Sequence, residues 1–308
     1  MLEILPLGKS KNAIVTLAIG DEYLSGWTNK VSQNWISYCQ RFDIGLYVGD
    51  KNMDEQPTQK KLQWQKLLLV RELQDRHPDL QMFCYLDSDI AVNPLGRNIF
   101  ETLNPQALNL VSQYRNLPFP LLVAQKMVSF NRHTYYSSTY PLDSSIFMSP
   151  QEIFSYHGLK AFQDYSCTGF FAGSAEQFGQ VFKEIYYSYD STVQTLTNGG
   201  DEPILNYEFM SRFKIEWQPY EFQALWIFEM AYHFPFLYNP DFYTESIARE
   251  CINTVLSRNT FLHFAGSWDE SKMLNLGPFS NFSGLALDFF NYLKVNPTGA
   301  PKGIIRPS

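Results

Sequence analysis

Apolar runs and apolar stripes alternate along residues 13–92. Residues 13–19, Ala-Ile-Val-Thr-Leu-Ala-Ile, form a nearly unbroken apolar run closed by Gly20-Asp21. That pattern predicts a buried strand followed by a turn. Residues 24–40 carry Trp27, Val31, Trp35 and Tyr38 at three- and four-residue steps, the repeat of an amphipathic helix. Residues 43–48 predict a short strand closed by Gly49-Asp50, and 51–60 are polar and loop-like. A second helix is predicted over 62–74, with Leu69 and Leu73 on one stripe. A third apolar run, 82–86, follows His77-Pro78-Asp79, and Asn93-Pro94 ends the regular pattern. Strand, helix, strand, helix, strand is the order of an α/β fold with a mostly parallel sheet flanked by helices. Open sheets of that kind bind ligands beyond the carboxyl ends of their strands. Residues 20–23 and the pair Asp87 and Asp89 lie at such ends.

The second half is less regular. Ser149-Pro150-Gln151-Glu152 and Ser174-Ala175-Glu176-Gln177 read as capping boxes that open helices, the second running to about Tyr187. A strand is predicted over 167–172. The loop Asn198-Gly199-Gly200 delivers Asp201 to a further helix. Residues 114–148 mix aromatic and polar residues without a clear period and read as an insertion. No repeat or linker divides the chain. The expectation is one domain over 1–296 and a frayed tail over 297–308.

Composition narrows the classes. With 308 residues and 45% apolar content the chain can bury a large core. The 25 Phe and 19 Tyr suit a phenylalanine-rich core, and equally a site where sugars or bases stack on rings. A net charge of −7 speaks against nucleic acid as a partner. Cys39, Cys84, Cys167 and Cys251 are too scattered for a disulfide framework or a cysteine zinc site, which fits a reducing cytoplasm. No apolar run reaches the roughly 18–20 residues that span a bilayer. The start of the chain lacks the layout of a signal peptide. Plentiful Trp and Phe leave peripheral membrane contact open.

The candidate chemistry begins at Asp87-Ser88-Asp89. On an extended backbone the i, i+2 spacing turns both carboxylates to one side, with Cα atoms roughly 6–7 Å apart. Carboxylates at exposed strand ends are common. A strand as apolar as 82–86, however, should not end in two repelling charges without a compensating cation, and that cation can hold a diphosphate. His263, in Phe261-Leu262-His263-Phe264-Ala265-Gly266, is either a satisfied core histidine or a third ligand that completes the shell on Mn²⁺. Gly266 would let the backbone approach a phosphate. Asp201 reads as a helix N-cap, as a carboxylate facing the sugar, or as both. Lys66 reads as a solvated helix face or as a cation directed at the sugar.

In this order the segments resemble the retaining glycosyltransferases of the glycogenin and galactosyltransferase type (family 8, GT-A fold). The resemblance runs over about 13–268: Val15 to Tyr23 in the first predicted strand and turn, Trp64 to Leu68 with Lys66, Leu86 to Asp89, Thr168-Gly169, Asp201 to Asn206, and His263 to Gly266. Family 34 shares the metal strand and the late His-Phe. The resemblance implies a nucleotide diphosphate sugar, with a lean to uridine, as donor. It implies an acceptor hydroxyl on an oligosaccharide, a lipid-linked sugar or a protein, and transfer with retention. Mn²⁺ or Mg²⁺ would sit on Asp87, Asp89 and His263. Leu17, Ile19, Gly20 and Tyr23 would hold the nucleoside. Asp87, Ser88, Gly266 and Lys272 would meet the donor, and Asp201, Glu202 and Lys66 would serve the sugar. Three positions depart from the pattern. Asp269 replaces a diphosphate-binding lysine, which shifts that duty to a residue such as Lys272. Cys167 replaces Asn, and Glu202 replaces Gln, which leaves donor sugars other than glucose and galactose open. A nucleotidyltransferase is the nearest enzymatic rival, but the acidic turn Gly20-Asp21-Glu22 is unlike a phosphate loop. A non-catalytic carbohydrate- or nucleotide-sugar-binding protein of the same fold is the rival of another class.

Overall fold

The computed structural model describes residues 1–56, 59–135, 146–193, 197, 200–265 and 272–279. The expected tail over 297–308 lies outside them, as do Gly266 and Asp269.

Among the described residues the main sheet has seven strands. In chain order these are β1 (Leu2–Leu5), β2 (Asn12–Leu17), β3 (Gly45–Gly49), β4 (Met82–Leu86), then β6 (Leu108–Val111), β7 (Phe170–Ser174) and β8 (Ile215–Gln218). They lie in the spatial order β1-β3-β2-β4-β7-β6-β8. A small second sheet orders β5 (Ile90–Val92), β10 (Phe261–His263) and β9 (Ala224–Leu225) as β5-β10-β9. Strands β3, β2, β4, β6 and β8 share one direction, while β1 and β7 run against them. The sheet is thus mostly parallel by strand direction, with β7 inserted backwards between β4 and β6.

Period-2 alternation assigns each side chain of the central strands to a face. Ala13, Val15, Phe83 and Tyr85 pack toward α3 (Lys66–Arg76) and α6 (Ala175–Ser188). Ile14, Cys84 and Leu86 pack on the other side with Trp35 and Tyr38 of α2 (Ser32–Phe42). Both faces are covered, which is why these strands read as continuous apolar runs. The phenylalanine surplus goes largely to the core. Phe83, Phe171, Phe178, Phe182, Phe209 and Phe213 form one edge-to-face and stacked cluster, an arrangement favoured by ring quadrupoles.

Several element boundaries differ from the sequence reading. The helix expected over 24–40 is two, α1 (Asp21–Lys30) and α2, because Val31 leaves the helical region at φ −133°. Trp27 and Trp35 meet edge-on across the break at 5.8 Å. Asp43 takes a left-handed conformation that ends α2, so β3 begins later than 43. Residues Leu62–Gln65 form a 3-10 turn that leads into α3. The strand expected over 167–172 starts only at Phe170. Ser149 makes the full capping box, and Ser174 accepts a hydrogen bond from the Gln177 N–H. Residues 114–148 are not patternless, since α4 (Leu121–Tyr135) lies within them. Its buried face mixes Ala124 and Val128 with Asn131 and Arg132, while Leu122 and Phe130 are exposed. Among the described residues no helix is long and apolar enough to cross a membrane.

The chain leaves β6 and returns to β7 through a closed neck. Ser112 bridges Ser166, the Gln113 N–H donates to the Tyr165 carbonyl at 3.0 Å, and the Ser112 hydroxyl donates to Asp164 at 2.5 Å. Helices α4 and α5 (Pro150–Tyr156) belong to this excursion.

One buried carboxylate makes stability depend on pH. Glu229 lies on the helix Trp226–His233 (α8, following α7 at Glu202–Arg212) and is 2% exposed. Burial pushes its pKa up to about 7, against the pull of Arg258 at 3.8 Å and of a Tyr220 hydrogen bond. His233 stands 3.6 Å away. A raised carboxyl pKa means that the folded state holds the proton longer than the unfolded one. Stability should therefore fall as pH rises from about 4.5 to about 7, by up to ~3 kcal/mol. Urea unfolding at pH 5 and pH 8 checks this. Glu229→Gln should flatten the difference, and an equally steep dependence in that variant would exclude Glu229 as its source.

Candidate metal and donor site

Strand β4 ends at Leu86, and the chain then turns tightly, with the Ile90 N–H donating to the Asp87 carbonyl at 3.2 Å. Asp87-Ser88-Asp89 is thus a turn between β4 and β5, not the extended segment that the spacing predicts. Strand register brings the third residue in. His263 of β10 lies directly across from Ile90, and the Phe264 N–H donates to the Asp89 carbonyl at 3.1 Å. On the opposite side the Asp87 N–H donates to the Gly169 carbonyl at 2.9 Å, just before β7 pairs with Leu86. Three segments distant in sequence therefore meet at one end of the main sheet.

The His263 Nε2 stands 3.1 Å from Asp89 Oδ1 and 3.9 Å from Asp87 Oδ2. One ligand atom from each of the three residues lies within 4.8 Å of the others. Two hard carboxylate oxygens and one imidazole nitrogen at that spacing fit Mn²⁺, or Mg²⁺ with more of its water retained. The far edge of the ring is closed. Cys167 Sγ lies 3.5 Å and Gln223 Nε2 3.4 Å from Nδ1, and Gln223 donates to the Cys167 carbonyl at 3.0 Å. Only Nε2 faces the carboxylates. Gly169 makes room for this packing, because a Cβ there would stand 2.4 Å from His263 Cε1 and 2.8 Å from Asp87 Oδ2.

The electrostatics favour a cation. Burial raises the pKa of Asp87, Lys66 and His263 oppose that rise, and the neighbouring Asp89 adds to it. Lys66 is itself buried, with its Nζ 2.9 Å from Asp201 Oδ2, 3.6 Å from Asp87 Oδ1 and 3.2 Å from the Thr168 carbonyl. Burial works against its charge, but Asp201 and Asp87 outweigh burial and raise its pKa. The Tyr85 hydroxyl donates to Asp87 as well.

Asp201 precedes α7, yet its side chain makes no capping hydrogen bond. Instead it takes the Lys66 ammonium on one oxygen and accepts from Gln63 Nε2 at 3.2 Å on the other. Glu202 begins α7 and hydrogen-bonds the buried Tyr165 hydroxyl. Asn206 is fully buried and ties the helix to the strand entry. It accepts from the Ser166 N–H and hydroxyl and donates to the carbonyls of Ser166 and Glu202.

A cavity of about 520 Å³ opens beside the turn. Of the residues singled out in the sequence, Leu17, Ile19, Tyr23, Asp87, Ser88 and Asp89 line it. Gly20, at φ 95°, provides the turn from β2 into α1, a conformation open to glycine. Lys66, Asp201, Glu202 and His263 are not among its lining residues, nor is Lys272, which is exposed and left-handed. The sequence reading missed Lys60, Lys61 and Gln63, which do line the cavity. Their only signal was a polar, dibasic loop just ahead of a helix. Lys60 has a structural task, as its ammonium donates to the carbonyls of Tyr186 and Tyr189 at 2.8 and 2.6 Å.

Comparison with known proteins gives a family match over part of the chain. Residues 9–150, slightly under half of the chain, match the galactosyl transferase GMA12/MNN10 family. Curated protein sequences include no match. Among solved structures, one similar chain is a glycosyltransferase involved in the glycosylation of the major capsid of PBCV-1. It is 11% identical, with 85% of this chain and 99% of that chain covered and a TM-score of 0.45. Another is the WbbM bifunctional glycosyltransferase in its apo form, 12% identical, with a TM-score of 0.45. There 90% of this chain covers 51% of that one.

Proposed function

We propose that this chain, a glycosyltransferase, moves a sugar from a nucleotide diphosphate sugar, UDP-linked by preference, to an acceptor hydroxyl, with retention at the anomeric carbon. The observation that carries the reading is the convergence of Asp87, Asp89 and His263 beside a cavity of the size of a nucleotide sugar. Those three residues would hold Mn²⁺ or Mg²⁺, which supplies charge neutralisation for the departing diphosphate. Leu17 and Ile19 offer an apolar wall and Tyr23 a ring for the nucleoside. Lys66 holds Asp87 and Asp201 in place against their mutual repulsion. The acceptor is an oligosaccharide, a lipid-linked sugar or a protein. Four free, scattered cysteines suit a cytoplasmic setting.

Thermal denaturation tests the donor site. UDP with Mn²⁺, each near a hundredfold over its dissociation constant, should raise the melting temperature by about 3–8 °C. Chelation should abolish the shift. A shift of the same size without metal, or none with it, would overturn the reading.

A further inference from the structure

Asp201 and Lys66 are the groups that the sequence directs at the sugar, yet neither lines the cavity. The Lys66 ammonium is enclosed by two carboxylates and the Thr168 carbonyl. Asp201 is 6% exposed, with one oxygen on Lys66 and the other accepting from Gln63. Gln63 is the member of this chain of contacts that lines the cavity, together with the Asp87–Asp89 turn. Resting on the donor-site reading above, we infer that Gln63 contacts the donor sugar and that Asp201, backed by Lys66, is a positioning residue acting through it.

The physical case is preorganisation. A glutamine on an open wall has several rotamers, and a ligand that orders it loses affinity to that entropy. Here a buried carboxylate fixes the amide in advance, and that carboxylate is fixed by a buried ammonium. The contact also decides which end of the amide is which. The nitrogen faces Asp201. An uncharged amide on this wall suits the polar, uncharged groups of a sugar. A carboxylate there would be repelled by Asp87 and Asp89 on the same cavity wall. Lys66 touches both Asp87 and Asp201, so one ammonium sets the sugar-side amide in register with the cation-side turn.

Calorimetric binding tests this with Mn²⁺–UDP and with Mn²⁺ complexes of UDP-glucose, UDP-galactose, UDP-N-acetylglucosamine and UDP-xylose. The quantity read is the affinity gained by adding the sugar, the ratio of the UDP and UDP-sugar dissociation constants. That ratio corrects for any change in diphosphate binding. Gln63→Leu should lower it about tenfold for the preferred sugar. Asp201→Asn should lower it too, and the double variant should lose no more than Gln63→Leu alone. Gln63 is exposed, so Gln63→Leu should fold even if Asp201→Asn does not. An unchanged ratio in Gln63→Leu, multiplying losses in the double variant, or a wild type that gains nothing from any of the four sugars would overturn the inference alone. A wild type that fails to bind Mn²⁺–UDP would overturn the donor-site reading and this inference with it.

Discussion

Asp89→Ala should yield a folded protein with turnover reduced by roughly a hundred- to ten-thousandfold, the several kcal/mol that a metal ion contributes to phosphate leaving groups. Asp89 supplies the carboxylate closest to His263 Nε2, at 3.1 Å. Without it the remaining pair, Asp87 and His263, is 3.9 Å apart and cannot complete a three-ligand set. The fold should tolerate the change. Loss of the imidazole contact is offset by relief of repulsion with Asp87, and the backbone hydrogen bond from Phe264 to the Asp89 carbonyl persists. Mn²⁺ titration, circular dichroism and steady-state kinetics together check this. Normal turnover with the metal requirement retained would remove Asp89 from the site.

The second large effect should come from a single methyl group. In Gly169→Ala the new carbon would stand 2.4 Å from His263 Cε1, 3.0 Å from Nδ1 and 2.8 Å from Asp87 Oδ2. The ring cannot retreat, because Cys167 and Gln223 close its other edge. The segment cannot retreat freely either, since its carbonyl holds the Asp87 N–H. Overpacking of this kind costs about 1–3 kcal/mol of stability. Displacing a metal ligand should also weaken Mn²⁺ binding by about ten- to a hundredfold. Chemical denaturation and metal titration on the same preparation separate the two. Mn²⁺ binding at wild-type strength in Gly169→Ala would mean that the ring and carboxylate do not form the metal site together.

The parts of the fold that could be read in advance were those where a single physical signal acts alone. Residues 13–17 and 82–86 are apolar because both faces of the sheet are covered, so length and composition sufficed. Ser149 and Ser174 announced helices through backbone groups that needed acceptors. The break at Val31 was hidden because Trp27 and Trp35 keep a helical spacing while packing on each other across the bend. At the site, Asp87 and Asp89 were legible as a pair but for the wrong local reason, since a turn and not a strand sets their separation. His263 was legible only as one of two things, a core histidine or a third ligand. Nothing local ties residue 263 to residue 89; the link is an antiparallel pairing between two three-residue strands. Gln63 and Gln223 were missed because an amide has no sequence signature, and its importance comes from the neighbours that fix it.

The backward course of β7 has a consequence for how this rim of the sheet can vary. Because β7 opposes β6, the polypeptide departs from and re-enters the sheet at the same rim as the acidic turn. The described residues between the clasp residues Ser112 and Ser166 leave and rejoin the sheet at that rim. Such an arrangement lets the segment carrying α4 and α5 vary in length without breaking the strand pairing beneath it, as long as α4 keeps its packing on the helix Trp226–His233.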